Sequence, residues 1–91
     1  MKSAYELAME RLEADEPTQT LSEAQKKEIA DIENRYQAKI AEREVFLAKQ
    51  MESERASGNR AEAEAIQEQL AREKSRLENE REEAKDKVRR R

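Results

Sequence analysis

From Ile29 to Met51 the apolar residues recur in steps of three and four: Ile29, Ile32, Tyr36, Ile40, Leu47 and Met51, with Arg43 filling the step between Ile40 and Leu47. Side chains at that spacing share one face of an α-helix, so this stretch predicts an amphipathic helix. A second stripe follows Gly58. It holds Ile66, Leu70, Leu77 and Val88, with Ala63 and Ala84 along the same line. Period-two alternation, the mark of a half-buried strand, does not occur in either stretch.

The two stripes are mirror images. If the chain folds back midway between Gly58 and Asn59, residues that face each other have numbers summing to 117. Met51 then meets Ile66, Leu47 meets Leu70, Ile40 meets Leu77 and Ile29 meets Val88, while Ile32 lands beside Ala84. Polar residues fall in matching places: Tyr36 opposite Arg81 and Arg43 opposite Lys74. One continuous helix in a parallel dimer would need no such symmetry, and it would carry Gly58 mid-helix at about 1 kcal/mol relative to Ala. The expected fold is all-α: a long, coiled-coil-like antiparallel helical hairpin, with helices over about 22–56 and 60–88 and a turn at 57–59. The first stripe repeats every eleven residues, which predicts nearly straight or slightly right-handed helices.

The chain ahead of the hairpin, residues 1–21, predicts a short helix over about 4–15 and a linker containing Pro17. Ser3 can cap that helix, with Glu6 completing a capping box. Tyr5, Ala8, Met9 and Leu12 lie on one face. The start of the second helix has two competing capping boxes, Thr20 with Glu23 and Ser22 with Gln25.

Composition sharpens this picture. Charged residues make up 45% of the chain, hydrophobic ones 35% and aromatic ones 3%, with a net charge of −3. That is the balance of long solvated helices with narrow apolar seams, and it excludes a thick globular core. About four apolar layers, each large side chain worth roughly 1.5–3 kcal/mol, can scarcely offset the ordering of the hairpin backbone. More surface has to be covered. A stripe of Ala30, Ala41, Val45 and Ala48 runs beside the main seam, and Phe46 stands on the opposite flank. We expect Tyr5, Met9, Leu12, Ala41, Val45, Phe46 and Ala48 to supply contacts to the N-terminal helix or to a second chain. The simplest arrangement is a homodimer of two hairpins in a four-helix bundle. A three-helix monomer and a swapped N-terminal helix are the competing arrangements.

The residue inventory removes most catalytic chemistry. The chain has no His, no Cys, one Gly and one Pro. His- and Cys-based triads, His- or Cys-ligated zinc, di-iron Glu-x-x-His motifs and Gly-rich phosphate loops are therefore excluded. The many carboxylates are interleaved with Lys and Arg, as on a solvated helix face. No catalytic, metal or cofactor residue is expected, and no small-molecule substrate. No run of apolar residues is long enough to span a membrane. The start lacks the apolar stretch of a secretory signal, so a cytoplasmic protein is expected. From Lys85 to Arg91 there are five positive charges and one negative. Arg89, Arg90 and Arg91 could complement a helix carboxyl end or contact phosphates. The functional expectation is a non-enzymatic structural or protein-interaction module, acting as scaffold, adaptor or small subunit, whose partner is itself or another protein. The alternative is a nucleic-acid-associated accessory protein using the basic tail, a weaker case because no aromatic residues interleave the cations.

The facing rule carries its own test. Leu70→Asp puts an unpaired charge into the seam, and it is expected to abolish or sharply lower the thermal unfolding transition followed by circular dichroism. An unchanged melting curve would refute the pairing of Leu70 with Leu47.

Overall fold

The computed structural model describes residues 3–7 and 20–91. Within them the chain is helical, and two long helices pack against each other: α1 over Glu23–Ala56 and α2 over Arg60–Arg89. Residues 4–7 form a helical turn whose first free amide is met by Ser3: the Glu6 N–H donates to the Ser3 hydroxyl at 3.2 Å. The remainder of the expected N-terminal helix, with Met9 and Leu12, lies outside the described residues. The radius of gyration is 21.0 Å, against about 12 Å for a compact chain of this length.

Of the two candidate caps for α1, Ser22 is the one used. Its hydroxyl accepts from the Gln25 N–H at 3.1 Å, and the Gln25 side-chain oxygen accepts from the Ser22 N–H at 2.9 Å. Both partners of the capping box are thereby satisfied. Thr20 stands outside the helix.

The turn is a Schellman motif. The Gly58 N–H donates to the Arg55 carbonyl at 3.1 Å and the Asn59 N–H to the Glu54 carbonyl at 2.8 Å, which satisfies carbonyls the helix end would leave free. Gly58 takes φ +80°, the left-handed conformation this motif needs. Asn59 stays at φ −90° and begins α2 instead. Its side-chain amide donates back to the Glu54 carboxylate at 2.8 Å, tying the first residue of the return to the end of α1.

From this turn the seam runs to the open end. Leu47, Ala63 and Val88 are almost wholly buried at 1%, 2% and 3% exposure, and Ile32 and Leu77 are buried. Ile29, Tyr36, Ile40, Met51, Ile66 and Leu70 are half-buried on the same line. Among the described residues the buried side chains are all apolar, and they form one row between the helices.

Gly58 sets the test of the turn. A Cβ there would meet nothing within 4 Å, so Gly58→Ala carries only the backbone cost of the left-handed conformation, about 1–2 kcal/mol. An unfolding free energy from denaturant titration lowered by that amount, with an unchanged helical spectrum, is the expected result.

Candidate interaction surface

Two helices in contact along one line leave two flanks, and the flanks differ. On one, the polar seam positions are closed by ion pairs. Glu33 of α1 receives Lys85 of α2 in a short hydrogen-bonded pair, with Arg81 nearby at 3.9 Å. Lys85 is only 11% exposed at its side chain, so its aliphatic stem adds to the seam while its ammonium reaches the carboxylate. Further along, Lys74 meets Glu44 at 2.9 Å.

The other flank carries the aromatics. Tyr36 packs half-buried beneath Lys39, whose ammonium lies 4.8 Å from the ring centroid. Arg43 lies over the Phe46 ring at 5.3 Å, and it also holds Glu73 of α2 through hydrogen bonds of 3.0, 3.1 and 3.3 Å. Phe46 nevertheless remains 50% exposed. Towards the open end, the same flank hollows into a groove of about 600 Å³. Ile32, Tyr36, Ala84 and Val88 supply its apolar surface, and Asp31, Arg35, Glu83 and Lys87 its charged edges.

The polar layer at Arg43 and Lys74 shows how this frame is specified. The two cations face each other by the 117 rule, which by itself would be repulsive. In the structure each turns to a carboxylate beside the other: Arg43 to Glu73 and Lys74 to Glu44. The layer therefore carries crossed ion pairs, one per flank. The reading of seam positions alone missed these carboxylates. Allowing the sum to vary by one would have found Glu73, Glu44 and the Glu33–Lys85 pair.

The open end is fastened by a residue with two duties. Gln25, already in the α1 capping box, donates its side-chain amide to the Val88 carbonyl at 2.9 Å. That carbonyl belongs to the last turn of α2, where intrahelical partners run out. A Glu would serve the capping box equally well, but it has no donor for Val88. Arg91 adds a contact to Glu28 at 2.8 Å, and Arg89 pairs with Asp86 at 2.9 Å. Arg90 is exposed.

Of the residues expected to make further contacts, Val45 and Phe46 are exposed at 57% and 50%, and Ala41 and Ala48 are exposed beside them. Tyr5 is 75% exposed. Val45, Ala41 and Ala48 lie towards the Glu44 side and Phe46 towards the groove side, so these residues do not form one patch. Among the described residues, no cluster of three or more acidic side chains could hold a metal ion, and no helix is long and apolar enough to cross a membrane.

The electrostatics of the Glu33 site are directional. The hydrogen bond from Lys85 holds the Glu33 carboxyl below its ordinary value of 4.5, opposed by partial burial and reinforced by the charges of Lys85, Arg81 and Arg89. A depressed carboxylate stabilises the fold above the unfolded-state value and loses that contribution as pH falls through the folded-state value. Glu33→Gln is thus expected to be less stable than the parent at neutral pH, with the difference narrowing as pH falls below the ordinary carboxylate value of 4.5. Urea unfolding at neutral and acid pH checks this, and a gap that does not narrow in acid would contradict the assignment. At the other ion pair, the hydrogen bond to Glu44 raises Lys74 above its usual range. Its contribution is complete below the ordinary lysine value and fades as pH rises through the raised one.

No known family, curated protein or solved structure matches the chain, so its functional reading rests on the surface just described.

Proposed function

We propose that the chain is a non-enzymatic interaction module, a scaffold, adaptor or small subunit, whose hairpin associates with a second copy of itself. The observation that carries this reading is Phe46. A large aromatic side chain stands half-exposed at the middle of a hairpin whose own buried core is one thin row of apolar residues. Burying such a side chain is worth roughly 1.5–3 kcal/mol, a sizeable gain for a fold with so little else to bury. The open groove on the same flank adds apolar surface that association would remove from water. The helix flank is also large enough. A 34-residue helix is ~51 Å long, and two helices side by side are ~20 Å wide. The resulting face of about 1,000 Å² exceeds the roughly 800 Å² that each partner contributes to a typical stable interface.

The basic end supports a nucleic-acid role less well. Arg89 and Arg91 already meet Asp86 and Glu28, and Lys85 meets Glu33. A carboxylate beside each of these cations competes with any phosphate.

Light scattering at micromolar concentration is expected to give the mass of a dimer. Phe46→Glu is expected to shift the protein to monomer, weakening association at least tenfold. It should leave the helical spectrum intact, since residue 46 lies outside the seam. A monomeric parent, or equal loss of helicity and association in the variant, would count against the proposal.

A further inference from the structure

The two halves of the hairpin are closed by different forces. On the turn side of Arg43, the Schellman turn reverses the chain, and Leu47, Met51, Ala63, Ile66 and Leu70 line the seam in succession. Among the described residues, no ion pair joins α1 to α2 between the turn and the Arg43 layer. Towards the open end the row thins. Tyr36 stands at the level of Arg81, and Ile32 comes beside Ala84, a side chain too small to fill the space opposite, so the groove opens there. Ile32 and Val88 are the buried side chains of this half. Beside them the links between the helices are polar: Gln25 to the Val88 carbonyl, Glu33 to Lys85 and Arg81, and Glu28 to Arg91.

We propose that the open end, residues 25–36 of α1 with 81–91 of α2, splays and recloses as one unit while the turn side stays paired, and that ionic strength sets how often it opens. Partial openings of this kind occur where buried apolar contacts are few. The polar links are also easily given up. Glu82, on α2 itself, lies 3.3 Å from Arg81 and 3.5 Å from Lys85, so both cations keep a partner when Glu33 moves away. Closure draws the Lys85 side chain largely out of water, a cost that its pairing with Glu33 has to offset. Each ion pair contributes little, but a partial opening breaks few contacts, so small terms decide it. Salt moves these terms in one direction, because the reach of a charge falls from about 30 Å at 0.01 M to about 3 Å at 1 M.

Splaying differs from the fraying of one helix end. Most helical stability in a folded chain comes from the packing of one face, so once the arms part, each has lost what held it. The start of α1 and the end of α2 then lose backbone protection together, and Ile32 and Val88 meet water. The turn side has no such freedom, since the three residues Ser57, Gly58 and Asn59 keep its two helix ends adjacent.

Amide hydrogen exchange on the full chain, read residue by residue in about 0.01 M and about 1 M sodium chloride at one pH, tests this. Amides of 27–36 and of 81–88 are expected to exchange faster than those of 47–54 and 63–70 at both salt levels. Raising the salt should speed the open-end amides about fivefold and the turn-side amides less than about twofold. Lys85→Met keeps the apolar stem and removes the ammonium, so it should speed open-end exchange at low salt and shrink the response to salt. Gln25→Glu keeps the capping acceptor but loses the donor to Val88, and it should speed exchange in both arms at either salt level. One rate along the whole hairpin would overturn the proposal, as would fast exchange confined to the last turn of α2. An equal salt response in the two halves, or a full salt response retained in Lys85→Met, would also overturn it.

Discussion

Two helices can share only one line of contact, and the structure is organised around that constraint. A bundle of three or more helices surrounds a core, so a single misplaced side chain is cushioned by neighbours on several sides. Here the buried side chains form one row between the helices. The register between the helices is held by that row together with three further features. The Schellman turn fixes the start of the return, Gln25 bolts the far end to the Val88 carbonyl, and crossed ion pairs hold the middle.

The ion pairs add to that hold without selecting the register by themselves. Pairs as exposed as these contribute little to stability, and long charged side chains reach one residue to either side. Slide α2 by seven residues and Arg43 would face Arg81, yet Arg43 could turn to Glu80 and Arg81 to Glu44, the same crossed arrangement that Arg43 and Lys74 adopt with Glu73 and Glu44. The apolar stripe is less forgiving: Leu47 would still meet Leu77, but Met51 would face Glu73, and Ile29 and Ile32 would run past the end of α2.

Much of this was legible from residue numbers. The single Gly in a turn tripeptide located the fold-back, and the mirror relation paired the apolar residues, because helix periodicity is rigid enough for arithmetic to stand in for geometry. Electrostatic detail was less legible. The rule that paired Arg43 with Lys74 was correct about level and silent about direction: long side chains lean sideways by one residue to reach an opposite charge, and a facing pair of cations becomes two ion pairs. Gln25 was read only as a capping residue. Its second bond, to a carbonyl sixty-three positions away, depends on where the two helix ends meet, which no local motif encodes. Of the two candidate caps, the sequence could not choose. The structure takes Ser22, the residue whose Gln25 partner also reaches α2, whereas Glu23, the partner for Thr20, is occupied on the solvent side with Lys26 at 3.4 Å.

The thinness of the seam also bears on where function can reside. Among the described residues the hollows of the hairpin are open grooves, and its two flanks are unequal as surfaces. On the Glu33 and Glu44 side, cations and carboxylates already satisfy one another. On the Phe46 side an aromatic side chain lies half in water, and its own helix cannot bring it to the hollow at the open end. A straight helix cannot bend back over ~21 Å to fill its own groove. The half-exposed ring and the hollow therefore stay apart within one hairpin, held at that distance by the stiffness of the helix that carries both.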